Sequence, residues 1–491
     1  MPLLLAGCGR GNFSERSARK TDTITWALRN DLKSLDPIRA NEENTASVLG
    51  EVVETLVTVD PNGKIQPALA KNWTVDGAKV TFTLGDAKFS DGTPVTAKDV
   101  KASLERAVDP KLLPLETSTY LSDVVSVTAV DDHTVSILLK APSRTIVSKL
   151  SSPQVAIVPA RFRNQAITKP EDLVGSGPYR MTEYRPSQRA VLEANSNWRG
   201  GTAPIARIEV IPITDASSLL NRFRSKDVDL LQVASSDVGT IMDAKDLKDR
   251  ATLLPTTKVI YLLIQPDAYP PLRDPRVRRA IAMALDRKKL SEDLVRGEAH
   301  AAGRILPTGL AENKPLLPAY DPDAARKLLA EAGYPGGKGL PPLDFGYNEA
   351  NRLNAIVDFL PTTLKSELGI TVRTRPFGLS FMDEIQKHRL PMALSGWGAP
   401  YPDPQAVLSV LLRSDSATNY SGYSSKEFDA ADAKAQISGK IEDFEVAEKI
   451  AANDVPILPL YSQPKVWLVS SRLSGVVLST YGSPDFSKAK L

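Results

Sequence analysis

Val259-Ile260-Tyr261-Leu262-Leu263-Ile264 is an unbroken apolar run, and soon after it Asp274-Pro275-Arg276-Val277-Arg278-Arg279-Ala280-Ile281-Ala282-Met283-Ala284-Leu285 opens a second pattern. The first run is short, β-branched and aromatic, and reads as a strand. The second places Val277, Ala280, Ile281, Ala284 and Leu285 on one helical face, and reads as a helix opened by Asp274-Pro275. This stretch divides the chain. Before it, hairpins and turns dominate. After it, strands and helices alternate, the pattern of an α/β unit.

Working toward the N-terminus, Thr23 to Leu28 alternates, with Ile24, Trp26 and Leu28 on one face, and reads as a strand. A loop, Asn30 to Pro37, follows it. Thr45 to Leu56 carries a helical stripe of Val48, Leu49, Val52, Val53 and Leu56. Trp73–Val75 and Val80–Leu84 flank Asp76-Gly77, a strong hairpin turn. Thr96 and Asp99 have capping-box spacing ahead of a helix that buries Val100, Leu104 and Ala107. Val124–Val130 and Thr134–Leu139 form a second hairpin across Asp131-Asp132. Gly175-Ser176-Gly177-Pro178-Tyr179 breaks the pattern. Strands at Tyr179–Tyr184, Ala190–Ala194 and Arg207–Pro212 follow, then a helix capped by Asp215 and an extended run, Val228–Val233.

Working toward the C-terminus, Asp321-Pro322 opens a helix that Gly333 stops, with Asp as N-cap and Pro at the first helical position. Leu343–Tyr347 is a strand, Leu353–Leu368 a helix kinked or broken at Pro361, and Ile370–Arg375 a strand. Glu442–Asn453 is a late helix. Val455–Leu460 and Val466–Val469 are closing strands.

The 491 residues suggest two to four domains or lobes. Sixty-one basic against 58 acidic residues leave a formal charge of +3, so composition makes no case for a nucleic-acid partner or a polybasic membrane surface. No run approaches the roughly 18 apolar residues that span a membrane. His133, His300 and His388 lack metal-ligand spacing, and there is no His-Glu-x-x-His, no Gly-x-Ser-x-Gly and no Walker-type loop. No metal or cofactor is expected, and an enzyme is disfavoured.

One more run stands out: Leu394-Ser395-Gly396-Trp397-Gly398-Ala399-Pro400-Tyr401-Pro402-Asp403-Pro404. Gly396 and Gly398 free the backbone, while three prolines fix φ and remove amide donors. The expectation is a short strand, Met392 to Leu394, then a stiff loop displaying Trp397 and Tyr401. Such a loop loses little freedom when it grips a ligand.

The sole cysteine, Cys8, excludes an internal disulfide. Leu5-Ala6-Gly7-Cys8 resembles a bacterial lipobox. Only seven residues precede Cys8, whereas a secretory signal needs about 15 or more. Either the true start lies upstream or the match is chance, and the position of the sole cysteine favours the former. Cys8 is then the expected lipidation site, and residues 14–21 a polar tether.

Several blocks, in order, resemble the bacterial extracytoplasmic solute-binding proteins of the dipeptide/oligopeptide/nickel class (family 5), which serve ABC importers. They are Pro67 to Trp73 through Phe89 to Val100, Gly175 to Tyr179, Asp274 to Arg287 and Tyr320 to Pro335, with weaker matches at Tyr420–Asp429 and Pro456–Tyr461. The resemblance implies an α/β fold of two lobes closing like a Venus flytrap, with an α+β subdomain inserted in the first. Transferred here, residues 1–21 are signal and tether. The first lobe is 22–60, 175–265 and 464–491, the inserted subdomain 61–174, and the second lobe 266–463. The implied function is capture of a peptide or peptide-like solute by hinge closure, and delivery to permease and ATPase subunits. The chain is expected to be an extracytoplasmic, lipid-anchored monomer.

By position, the resemblance implies ligand contacts from Asn30, Asp31 and Leu32 on one lobe and Gly396, Trp397 and Tyr401 on the other. Peptide-binding members commonly carry an Asp three residues after that Trp, pairing with the peptide's α-amino group. Here Pro400 stands there, with neither charge nor amide donor. Asp403 is the nearest carboxylate, either reaching the ligand or capping the helix that follows. Pro400 keeps open a non-peptide solute, such as an oligosaccharide or opine-like compound, and the same fold also serves sensory receptors.

Overall fold

The computed structural model describes residues 22–112, 121–234, 237–294, 299–349, 354–462, 464–481 and 483–491. Cys8 and the tether lie outside them.

Two sheets organise the chain. The first has seven strands, in the order Ala251–Leu254, Lys465–Val469, Leu230–Val233, Thr23–Leu28, Arg207–Pro212, Arg189–Ala194 and Tyr179–Arg185. Its centre is parallel, with Thr23–Leu28 beside Arg207–Pro212 and Leu230–Val233. The second has six, in the order His300–Ala301, Ile457–Ser462, Lys258–Ile264, Met392–Gly398, Leu343–Asn348 and Val372–Phe377. The two predicted hairpins form a separate four-stranded sheet: Ala70–Asp76, Lys79–Leu84, Thr134–Leu139 and Val124–Ala129. Gly77 turns the first of them with φ of 56°, a conformation that Gly adopts without strain.

Both central strands are buried on both faces, because each sheet is covered on both sides. Ile24, Trp26 and Leu28 face one core while Ala27 faces another. Val259, Tyr261 and Leu263 face one core of the second lobe, and Leu262 and Ile264 the other. That double burial explains why Val259–Ile264 reads as continuous rather than alternating.

The chain passes from one sheet to the other between the strands Ala251–Leu254 and Lys258–Ile264, and back between Ile457–Ser462 and Lys465–Val469. The strand Lys258–Ile264 is thus central to the second sheet, not the last of the first lobe. The change of composition after Ile264 marks the start of the helices, and the crossing comes one strand earlier.

Local signals behave as their chemistry requires. Asp321 accepts from the Ala324 amide at 2.9 Å, and Asp99 accepts from the Thr96 amide at 2.8 Å. Asp215 caps its helix through the Ser218 amide at 2.7 Å. The helix expected from Thr45 to Leu56 spans only Glu43–Leu49, capped by Glu42. The helix Asn354–Leu368 runs through Pro361 unbroken.

Two buried ion pairs fasten the parts. Arg106 of the inserted subdomain grips Asp36 of the first lobe, one bond measuring 2.6 Å, and both side chains are 1% exposed. In the second lobe Glu448 is fully buried on the helix Ile441–Asp454. It accepts from Arg304 Nε at 3.0 Å and from the Ile305 and Leu306 amides at 2.7 and 2.8 Å. The inserted subdomain also reaches the second lobe: the Arg144 amide donates to the Gln436 carbonyl at 3.0 Å.

Candidate functional site

A cavity of about 460 Å³ lies where the chain crosses between the lobes, within the range of roughly 300–1,000 Å³ usual for ligand sites. The first lobe contributes Glu42, Glu43, Ser47, Gln232 and Tyr481, and the inserted subdomain Ser152 and Gln154. The second lobe contributes Thr256, Lys258, Ile260, Gly398 and Pro400. Lys465, at the second crossing, completes it.

The charges at the mouth are mostly committed. Glu43 Oε1 lies 2.8 Å from Lys465 Nζ, and that ammonium also sits 5.5 Å from the Trp467 ring centre. The Glu43 side chain is open to the cleft, 53% exposed, while its carboxylate is partly desolvated by the cleft walls. Burial pushes its carboxyl up, but Lys465, Gln232 and Lys258 together outweigh this and hold it below the usual range. Glu42 accepts from the Asn44 amide at 3.0 Å and from the Thr45 amide, closing the start of the helix Glu43–Leu49.

The aromatic stretch is placed by strand parity. The strand extends to Gly398, not Leu394, and pairs antiparallel with Lys258–Ile264. Paired residues point to the same face. Gly398 opposes Lys258 and Gly396 opposes Ile260, so both glycines lie on the cleft face. Trp397 opposes Val259 on the other face, packs against the second-lobe core, and donates its indole N–H to the Ala406 carbonyl at 2.7 Å. Trp397 therefore points away from the cavity, contrary to the expectation of an aromatic on display. Tyr401 is 4% exposed, and its hydroxyl donates to the Gln405 side chain. Of this stretch, Gly398, Ala399 and Pro400 line the cavity.

Asn30 is exposed and does not line the cavity, and Leu32 is a core residue. Asp31 accepts from the Ser187 amide at 2.6 Å and from the Tyr184 hydroxyl at 3.2 Å. Burial first, and Asp31 after it, push the Tyr184 phenol up to about 12. This trio closes the turn between Tyr179–Arg185 and Arg189–Ala194, away from the cleft lining. Cys8 is outside the described residues.

Asp403 caps, accepting from the Gln405 amide at 3.0 Å. It also meets Ser148 and Lys149 of the inserted subdomain. Burial pushes its carboxyl up to about 6, against the pull of Gln405, Ser148 and Lys149, and Asp432 adds to the rise. A carboxyl raised above its unfolded value of about 3.9 contributes stability that is full below that value and lost as pH rises through about 6. Between pH 4 and 7 the native protein should therefore lose roughly 2–3 kcal/mol relative to Asp403→Asn. Denaturant titrations of both at each pH check this, and a gap constant with pH would count against it.

Sequence reasoning missed Glu43, Gln154, Gln232, Lys258 and Lys465. A signal existed for the two lysines. Each heads an apolar run, Lys258-Val259 and Lys465-Val466, shortly after a proline. Among the described residues no cluster of three or more His, Cys, Asp or Glu could hold a metal.

The family model described as bacterial extracellular solute-binding proteins, family 5, matches residues 64–419. The chain is similar to the periplasmic murein peptide-binding protein MppA of Escherichia coli, 27% identical over 94% of this chain and 91% of that protein. It is also similar to the periplasmic oligopeptide-binding protein OppA of the same organism, 28% identical over 91% and 88%. Among solved structures, the murein tripeptide-binding protein MppA of Escherichia coli superposes with a TM-score of 0.78 at 25% identity, covering 96% of this chain and 98% of that one.

Proposed function

The chain belongs to the bacterial extracellular solute-binding proteins of family 5, and on that premise we propose that it captures a peptide or peptide-like solute between its lobes and hands it to an ABC importer. It works outside the cytoplasm as a binding protein rather than an enzyme. The observation that carries the reading is the cavity itself, walled by both lobes and set at both crossings. A solute there contacts both walls only when the lobes are together, so it stabilises the closed form by that differential affinity. Permease and ATPase subunits then act on the closed form. A lipid on Cys8 would keep a monomer at the membrane.

The wall suits an extended chain. The strand Met392–Gly398 pairs along its whole length with Lys258–Ile264, but its other edge meets Leu343–Asn348 only at Met392 and Ala393. Residues 394–398 thus keep an edge with no partner strand among the described residues. An extended peptide can add there through main-chain hydrogen bonds. The names of the relatives, peptide binders in both cases, support the same ligand class.

Gly398→Val tests this. A Cβ at 398 meets nothing within 4 Å, and a β-branched residue suits a strand, so stability should stay within about 1 kcal/mol. The side chain projects into the cleft, and affinity for trialanine by calorimetry should fall about tenfold or more. Unchanged affinity would remove this wall from the site. Native mass spectrometry of solute co-purified with the protein gives the ligand directly.

A further inference from the structure

We propose that Lys258 forms a carboxylate subsite in the cleft, so that the solute is anchored by an anionic group on the second lobe rather than by an ammonium. The proposal rests on the capture reading above and names the chemistry of one end of the solute.

Among the described residues that line the cavity, the second-lobe wall has one charged residue, Lys258, and no carboxylate. Lys258 stands at the head of its strand, its amide fixed by the Thr256 hydroxyl at 3.0 Å. Directly across the ladder is Gly398, so no side chain crowds the lysine stem from that strand. Pro400, farther along the same wall, offers neither charge nor N–H. A ligand ammonium therefore has no counter-ion among the described residues on this side.

The carboxylates opposite are already engaged. Glu42 caps a helix and Glu43 is held by Lys465 at 2.8 Å. Lys258 acts on Glu43 only at longer range, and among the described residues its ammonium has no hydrogen-bond acceptor. Two acids are committed and one cation is not. Closing the lobes over an unpaired ammonium is costly, because a charge taken from water needs a paired partner. A carboxylate on the solute supplies that partner and forms a charge-assisted hydrogen bond. The group is either the C-terminal carboxylate of a peptide or an acidic side chain.

Calorimetry on the full chain separates these. The probes are trialanine, N-acetyl-trialanine, trialanine amide and Ala-Glu-Ala amide. Trialanine and its N-acetyl form should bind within about threefold of each other, while the amide should bind about tenfold or more weaker. In Lys258→Met, a swap of similar length at an exposed position, acid and amide should bind within about threefold. Recovery by Ala-Glu-Ala amide in the native protein, but not in the variant, assigns the carboxylate to a side chain. Failure of that recovery, with discrimination intact, assigns it to the C-terminus. Equal binding of acid and amide by the native protein overturns the subsite whatever the variant does, as does discrimination that survives in Lys258→Met. Binding lost on acetylation but not on amidation overturns it too. No binding by any of the four overturns the peptide reading and the subsite with it, whereas binding without discrimination overturns the subsite alone.

Discussion

Glu448→Ala should destabilise the second lobe by about 3–5 kcal/mol, the cost of breaking a buried ion pair by removing one partner. Glu448 is fully buried and answers Arg304, which is 1% exposed, so the guanidinium would lose its main counter-charge. Glu445 remains 3.1 Å from Arg304 and offsets part of the loss. The Ile305 and Leu306 amides would also lose their acceptor, and buried donors left unpaired cost about 1–3 kcal/mol each. For the same reason Arg304→Met combined with Glu448→Leu should recover only part of the deficit. It removes both charges but not the two orphaned amides. Denaturant unfolding measures all three proteins. A loss below about 1 kcal/mol for the single variant would show that water or a rearranged Glu445 replaces the carboxylate.

Gly175→Ala is expected to cost about 3 kcal/mol or more, at the upper end of overpacking penalties. An added Cβ would lie 2.0 Å from the Val52 carbonyl oxygen and 2.7 Å from its carbon. Both are backbone atoms, so no rotamer relieves the clash. The same segment is stitched to that backbone by Gly177 N–H to Val52 at 2.9 Å and Tyr179 N–H to Glu51 at 3.0 Å. Residues 51 and 52 follow the helix that carries Glu43 into the cavity, so peptide affinity should fall with stability. Gly85→Ala is the control, since its Cβ would meet only the Leu69 carbonyl oxygen at 3.8 Å. It should stay within about 1 kcal/mol. A Gly175→Ala protein as stable as that control would mean the two segments part easily.

The fold was legible because its signals are local. Asp76-Gly77, Thr96 with Asp99, and Asp321-Pro322 each act within a few residues, and each has the structure its chemistry predicts. The run Val259–Ile264 reads as a strand and is one, but the sheet it joins is set by its pairing with Met392–Gly398 and Ile457–Ser462. Composition reports when helices begin, not which sheet a strand joins. The site was harder because it depends on parity. Shifting attention by one residue on a strand changes the face, and a glycine–tryptophan–glycine run draws the eye to the tryptophan. Pairing with Lys258–Ile264 instead turns the two glycines to the cleft. Asp31 illustrates a different limit. A carboxylate after a strand can face a ligand or close a distant turn, and only the tertiary contact with Tyr184 and Ser187 decides. Gln154 and Gln232 arrive in the cavity from remote parts of the chain, with no spacing that announces them.

The bond from the Arg144 amide to the Gln436 carbonyl joins the lobes by main chain alone. Donor and acceptor are both backbone atoms, so no particular side chain has to supply the bond. Residues that face the solute can be exchanged without touching it, so the choice of cargo and the outline offered to the importer are separable properties of this molecule. A pair of dyes flanking that bond would report closure for any cargo, which makes the scaffold suitable for biosensors whose recognition wall is redesigned while the read-out is left alone.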